Sequence, residues 1–191
     1  YIHAAVLPEL DGEVVAIVTP HAGHIYSGPV AGYAFAALLG LKPDIVAVIS
    51  PMHYPYAEPF LTTAHDAYQT PLGNVMVDQE ALLTLDAFME AELGYGLSRV
   101  KRDREHALEI ELPFLQRVLE VEFKLLPVMV REQGSTGAHA LGTCLAKTLQ
   151  GRNAILVAST DLSHFYPLKL ADQLDEVMLA AIASFDPDEV I

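Results

Sequence analysis

Cysteine and positive charge are the scarce commodities of this sequence. Cys144 is the single cysteine and tryptophan is absent. One cysteine excludes an intrachain disulfide and fits a reducing compartment. Cys144 falls in a stretch of helical pattern, which marks it as a packing residue. Lys and Arg number 11 against 25 Asp and Glu, for a net charge of −14. A field of that sign repels phosphate backbones and anionic lipid surfaces, so neither nucleic acid nor membrane is an expected partner. It favours solubility and attracts cations. No apolar run approaches the roughly 20 residues that span a bilayer. No basic stretch leads into an apolar one in the manner of a secretory signal, and the expected location is cytoplasmic. That reading starts from Tyr1, since the chain does not open with Met. Also missing are HExxH, paired CxxC, G-x-S-x-G, G-x-G-x-x-G and the P-loop, which removes the usual zinc-protease, α/β-hydrolase and nucleotide-binding readings.

Apolar residues, by contrast, are abundant, at 52% with a mean hydropathy of +0.30. Such values suit a sheet buried on both faces, whose strands read as continuous apolar runs. Four short β-branched runs fit this description: Val14–Val18, Ile45–Ile49, Phe123–Val130 and Ile155–Ala158. Segments of helical pattern separate or follow them at Gly28–Leu41, Asp78–Leu93, Glu105–Val121, Ala138–Leu149 and Leu168–Phe185. This alternation predicts an α/β fold, a three-layer α/β/α sandwich around a mostly parallel central sheet. No repeat, low-complexity tract or linker divides it, so residues 1–191 read as one domain. His53–Asn74, rich in Pro, Tyr and Thr, reads as a long connection carrying one or two short strands.

Three of the four apolar runs are followed within a few residues by a histidine. Val14–Val18 leads to His21, Ile45–Ile49 to His53, and Ile155–Ala158 to His164. Open α/β sheets bind ligands beyond the carboxyl ends of their strands, and a parallel sheet would deliver all three imidazoles to that edge. Imidazole suits zinc, copper and iron, and three such ligands leave coordination positions open for water, oxygen or substrate. Asp161, three residues before His164, is a candidate ligand, imidazole-orienting acceptor or base. The plainer alternative is that each histidine is a hydrogen-bonded structural residue, although three strand ends doing this together is harder to dismiss.

His106 and Glu109 are three apart on a predicted helix, with Asp103 as its expected N-cap and His106 in the first turn. There His106 is either a general acid or base near the site or a polar residue facing water. His24, beside His21 in an expected loop, is a weaker candidate. The turn from Pro20 to Pro29 can present backbone N–H groups to an anion.

Five motifs in order give these residues a family likeness: Pro20-His21-Ala22-Gly23 with Tyr26-Ser27-Gly28, Pro51-Met52-His53, Tyr68-Gln69-Thr70-Pro71-Leu72-Gly73, Glu105-His106 with Glu109 and Leu112-Pro113, and Asp161-Leu162-Ser163-His164. In them the sequence resembles the Memo family, itself similar in fold to the LigB-type (class III) extradiol dioxygenases. The resemblance implies metal-site histidines at His21, His53 and His164, with Asp161 beside them, and makes His106 a site residue. It implies a transition metal, iron(II) foremost with copper or zinc as alternatives. The expected activity is dioxygenase-like redox chemistry on a small-molecule substrate. A non-catalytic module that holds a peptide or phosphopeptide in the same pocket is the alternative. The chain departs from the family's pattern in three places. Tyr54 stands where a second histidine often follows His53, His24 replaces a usual tyrosine, and the family's start and its Cys-Gly-bearing C-terminal segment are not seen.

Overall fold

The computed structural model describes residues 1–190. After a short 3-10 turn at Ile2–Ala4, the elements run β1 (Ala16–Thr19), α1 (His24–Ala36), β2 (Ile45–Pro51), β3 (Phe60–Thr63), β4 (Ala67–Thr70) and β5 (Gly73–Met76). They continue with α2 (Gln79–Leu93), β6 (Ser98–Val100), α3 (Ala107–Val118), β7 (Lys124–Val130), α4 (Ser135–Leu149), β8 (Ala154–Ser159), α5 (Leu168–Ser184) and α6 (Pro187–Val190). Six strands form the central sheet in the order β1-β8-β2-β7-β3-β6, while β4 and β5 pair as a separate hairpin. Every pairing in the large sheet is parallel except that of β3 with β7, so the expected mostly parallel three-layer sandwich is what the chain forms.

Strand periodicity divides the core into two layers. Val46 and Val48 of β2, Ile155 and Val157 of β8, and Ile17 of β1 face Phe35 of α1 and Leu108, Leu112 and Leu115 of α3. On the other side, Ile45 and Ala47 pack with Leu126 and Val128 of β7 against Leu82, Leu85 and Met89 of α2 and Leu141, Cys144 and Leu145 of α4. Cys144 is buried there, in the packing role expected of it. Among the described residues no helix is long and apolar enough to cross a membrane.

Local signals explain where elements begin and end. Asp78 caps α2 by accepting a 3.0 Å hydrogen bond from the Ala81 N–H, and Gly94 closes that helix at φ 80°, a conformation glycine adopts without steric penalty. The first helix starts at His24, earlier than Gly28, because the Gly23 carbonyl accepts from Tyr26 and Ser27 and nucleates the turn. Pro29 is therefore interior; the carbonyl it cannot serve belongs to Ile25, which is exposed to water. The third helix starts two residues later than Glu105, and its N-cap is His106, not Asp103. Asp103 accepts instead from the Glu105 N–H at 3.0 Å. The Pro- and Thr-rich connection contains β3, β4 and the start of β5, and the three-residue β6 adds an edge that no sequence pattern had marked.

Strand order matters most for function. Placing β8 between β1 and β2, all parallel, sets the three strand ends that precede His21, His164 and His53 side by side at one edge of the sheet.

Candidate metal centre at the strand ends

His21 follows β1 and His53 follows β2, and His106 opens α3, which packs across the same face of the sheet. Their rings converge: centroids lie 5.3 Å apart for His21 and His53, 5.7 Å for His53 and His106, and 6.3 Å for His21 and His106. Two of these rings also belong to a second grouping: His53, Glu105 and His106 bring ligand atoms within 4.8 Å of one another, a group able to hold a metal ion.

Glu105 is the anchor of this cluster. Its side chain is only 2% exposed. Its carboxylate accepts from the backbone N–H groups of His53 (2.6 Å), His106 (2.8 Å) and Ala107 (2.9 Å), and lies 3.0 Å from Nδ1 of the His53 ring. Burial alone pushes this carboxyl up, but the four hydrogen bonds outweigh it and hold the group down at about 2. The carboxylate thereby also satisfies the first N–H groups of α3, a task that fell to no capping side chain of Ser, Thr, Asp or Asn. With Nδ1 engaged, the Nε2 atom of His53 remains for the site. Arg131, at the end of β7, steadies the same loop by donating to the carbonyls of Met52 and Tyr54.

His21 is held differently. It is buried, with Nδ1 2.9 Å from the Ser159 hydroxyl, and Ser159 in turn donates to Glu111 on α3. Asp161 fixes the backbone: its Oδ1 accepts from the N–H groups of His21 (2.8 Å) and Ala22 (2.9 Å), while Oδ2 lies 3.7 Å from the His21 Nε2. Burial pushes the His21 imidazole down, Asp161 opposes that, and the neighbouring His53 and His106 add to it. Glu111 is fully buried, and burial raises its carboxyl to about 8, the Ser159 hydrogen bond opposing the shift and Asp161 adding to it.

His164 is placed apart from that cluster. Its Nδ1 is 2.9 Å from the Leu162 carbonyl and its ring packs on Phe165, with centroids 4.7 Å apart. With Asp161 it borders a cleft shared by Pro20, Ala22 and residues of α5. His24 turns away from the cluster to the Ile110 carbonyl and the Phe114 ring.

Residues 2–191 match the profile of Memo-like proteins. The chain is 36% identical over 185 residues to a MEMO1 family protein of Pyrobaculum aerophilum, covering 94% of this chain and 64% of that relative. It is 36% identical over 177 residues to one of Thermotoga neapolitana, covering 90% of this chain and 61% of the other, and 35% identical over 180 residues to one of Methanosarcina mazei, covering 92% and 64%. The chain belongs to the Memo family. It spans somewhat less than two thirds of the length of these Memo relatives.

Of the residues that the Memo motifs mark, His21, His53 and His106 meet directly and Asp161 joins them through the backbone of His21, whereas His164 lies beyond Asp161 in the neighbouring cleft. Three participants had not been singled out: Glu105, Ser159 and Glu111. Glu105 is part of the Glu-His motif, but its role depends on a contact with His53, 52 positions away. Glu111 left a legible trace, since it lies between Leu108 and Leu112 on the helix face that carries the core residues of α3.

Proposed function

We propose that this Memo protein binds a divalent transition metal, iron(II) foremost, through imidazoles at the strand-end cluster and acts there as a redox enzyme on a small chelating substrate. The observation that carries the reading is the convergence of His21, His53 and His106 over Glu105, with two of the rings anchored at Nδ1 by buried partners. The donor set fits a borderline metal: imidazole nitrogens are on offer, while the Glu105 oxygens are already engaged by four donors. Glu105 acts by orienting His53 more than as a ligand. His21 and His53 are the fixed pair of ligands in this proposal, and His164, which stands outside the cluster in the neighbouring cleft, is the third and completes the set when metal binds. The Asp161 side chain supports that choice, because it ties the segment leading to His164 to the backbone of His21. Iron(II), when bound, supplies the capacity to activate dioxygen beside a chelated substrate.

The protein's own groups have separate tasks. His106, half-exposed at the mouth of the cluster, moves protons between substrate and solvent. Asp161 holds the turn after β1 and lies near the His21 Nε2, where it favours positive charge developing on the ligand pair. The carboxylates of Glu105 and Asp161 beside the pocket disfavour the phosphopeptide alternative, since they repel an anionic group.

Metal content after anaerobic iron(II) loading tests the proposal, with wild type compared against His53→Ala. Near-stoichiometric metal that is lost in the variant is expected. No retained metal in either protein would sink the metal reading and favour the peptide-binding one. Flat oxygen consumption by iron-loaded protein across catechols would remove the dioxygenase part alone.

A further inference from the structure

A carboxyl on the apolar face of a helix is costly unless it has a use, because burial removes its hydration. Glu111 is fully buried on the same helix as the buried Leu108, Leu112 and Leu115, and its Oε2 has no hydrogen-bond partner. The hydrogen bond found for its side chain runs from the Ser159 hydroxyl to Oε1, at 2.5 Å. Ser159 ends β8 and is itself 2.9 Å from the His21 Nδ1. The three groups form a buried chain from helix to strand to imidazole.

A hydroxyl has one hydrogen. When Ser159 donates it to Glu111, the Ser159 oxygen can only accept from His21, so Nδ1 carries the ring proton and Nε2 presents a lone pair. Were Ser159 to donate to Nδ1 instead, Nε2 would carry the proton and face the site as an N–H, unable to bind a metal. Asp161 pulls toward that second arrangement, since its Oδ2 lies 3.7 Å from Nε2. His53 and His106, the other rings against His21, disfavour any extra charge on it. The hydrogen bond at Nδ1 is formed, whereas the Asp161 contact is beyond hydrogen-bonding distance.

We infer that Glu111 is a positioning residue which, through Ser159, holds His21 in the Nδ1–H tautomer and so presents its Nε2 lone pair to the site. Oε1 accepts when the carboxyl is ionised or has its proton on Oε2, whereas a proton on Oε1 would reverse both hydrogen bonds, so the device requires a free acceptor at Oε1. The inference rests on His21 being a site ligand, but its test does not need a metal.

The test is the tautomer of His21, read from its ring 15N shifts in long-range 1H–15N spectra of the metal-free protein. Wild type should show Nδ1–H. Glu111→Gln keeps an acceptor at Oε1 and should retain that pattern. Glu111→Met and Ser159→Ala each break the chain and should shift His21 to the Nε2–H form facing Asp161. Cobalt(II) affinity should fall by about 10–100-fold in the same two variants and stay near wild type in Glu111→Gln. Retention of Nδ1–H in both Glu111→Met and Ser159→Ala would overturn the inference, as would a Glu111→Gln protein that behaves like Glu111→Met. If Glu111→Met does not fold, Ser159→Ala decides alone. A tautomer shift without cobalt binding in any variant would leave the device standing and count against the metal reading.

Discussion

His53 and His164 both follow parallel strands of one sheet, yet they stand in opposite circumstances. The His53 ring is fixed at Nδ1 by a carboxylate that is itself held by three backbone N–H groups from two elements. The His164 Nδ1 meets only the carbonyl of Leu162, two residues away on the same turn, and its ring neighbour Phe165 is fully exposed. Phe165 also takes φ 67°, a left-handed conformation that bulky residues adopt only at a steric cost. The following helix, α5, has no buried residue. A ligand tied to a second element is oriented before anything binds, whereas one tied only to its own turn must be positioned at binding.

The comparison breaks most severely at Glu105. Its carboxyl is held at about 2 against an ordinary 4.5, so its contribution is fully present above pH 4.5 and is lost as the pH falls toward 2. Glu105→Gln should therefore destabilise the protein by about 2–3 kcal/mol at pH 7. Urea unfolding of both proteins should show that gap narrowing steadily below pH 4.5; a gap independent of pH would mean that the charge of Glu105 contributes nothing.

Alanine at His164 and at His106 sharpens the same contrast. His164→Ala should leave stability within about 0.5 kcal/mol of wild type, as its exposed ring has few partners to lose. Its iron(II) affinity should nonetheless fall at least tenfold, while His106→Ala retains metal. The reverse pattern, measured by metal titration, would make His106 the third ligand and leave His164 outside the site. The smallest effect belongs to Phe165→Gly, which relieves the left-handed strain. It should raise stability by about 0.5–1 kcal/mol in thermal or urea unfolding. A loss of stability would show that the turn is held by the Phe165 ring.

The architecture was legible because it depends on local periodicity. Continuous apolar runs marked β1, β2, β7 and β8, and amphipathic spacing marked α2 to α5, each within a few residues of its observed bounds. Boundaries moved where backbone carbonyls or a side chain distant in sequence did the capping, as at Gly23 and at Glu105. The short strands β3 to β6 are too brief for a period to emerge, and their pairing decided them.

The site divides along the same line. Histidines placed just beyond apolar strand runs are a property of the chain, and parallel strands deliver their ends to one edge whatever their order. Sequence by itself therefore determined which residues arrive at the edge. What only the tertiary structure decided is which of them meet. Strand order placed β8 between β1 and β2, and the packing of α3 brought Glu105, His106 and Glu111 against strands that lie far from them in sequence. Hydrogen bonds act over about 3 Å and are indifferent to separation along the chain. The partners that orient His21 and His53 therefore became visible only once the chain had folded.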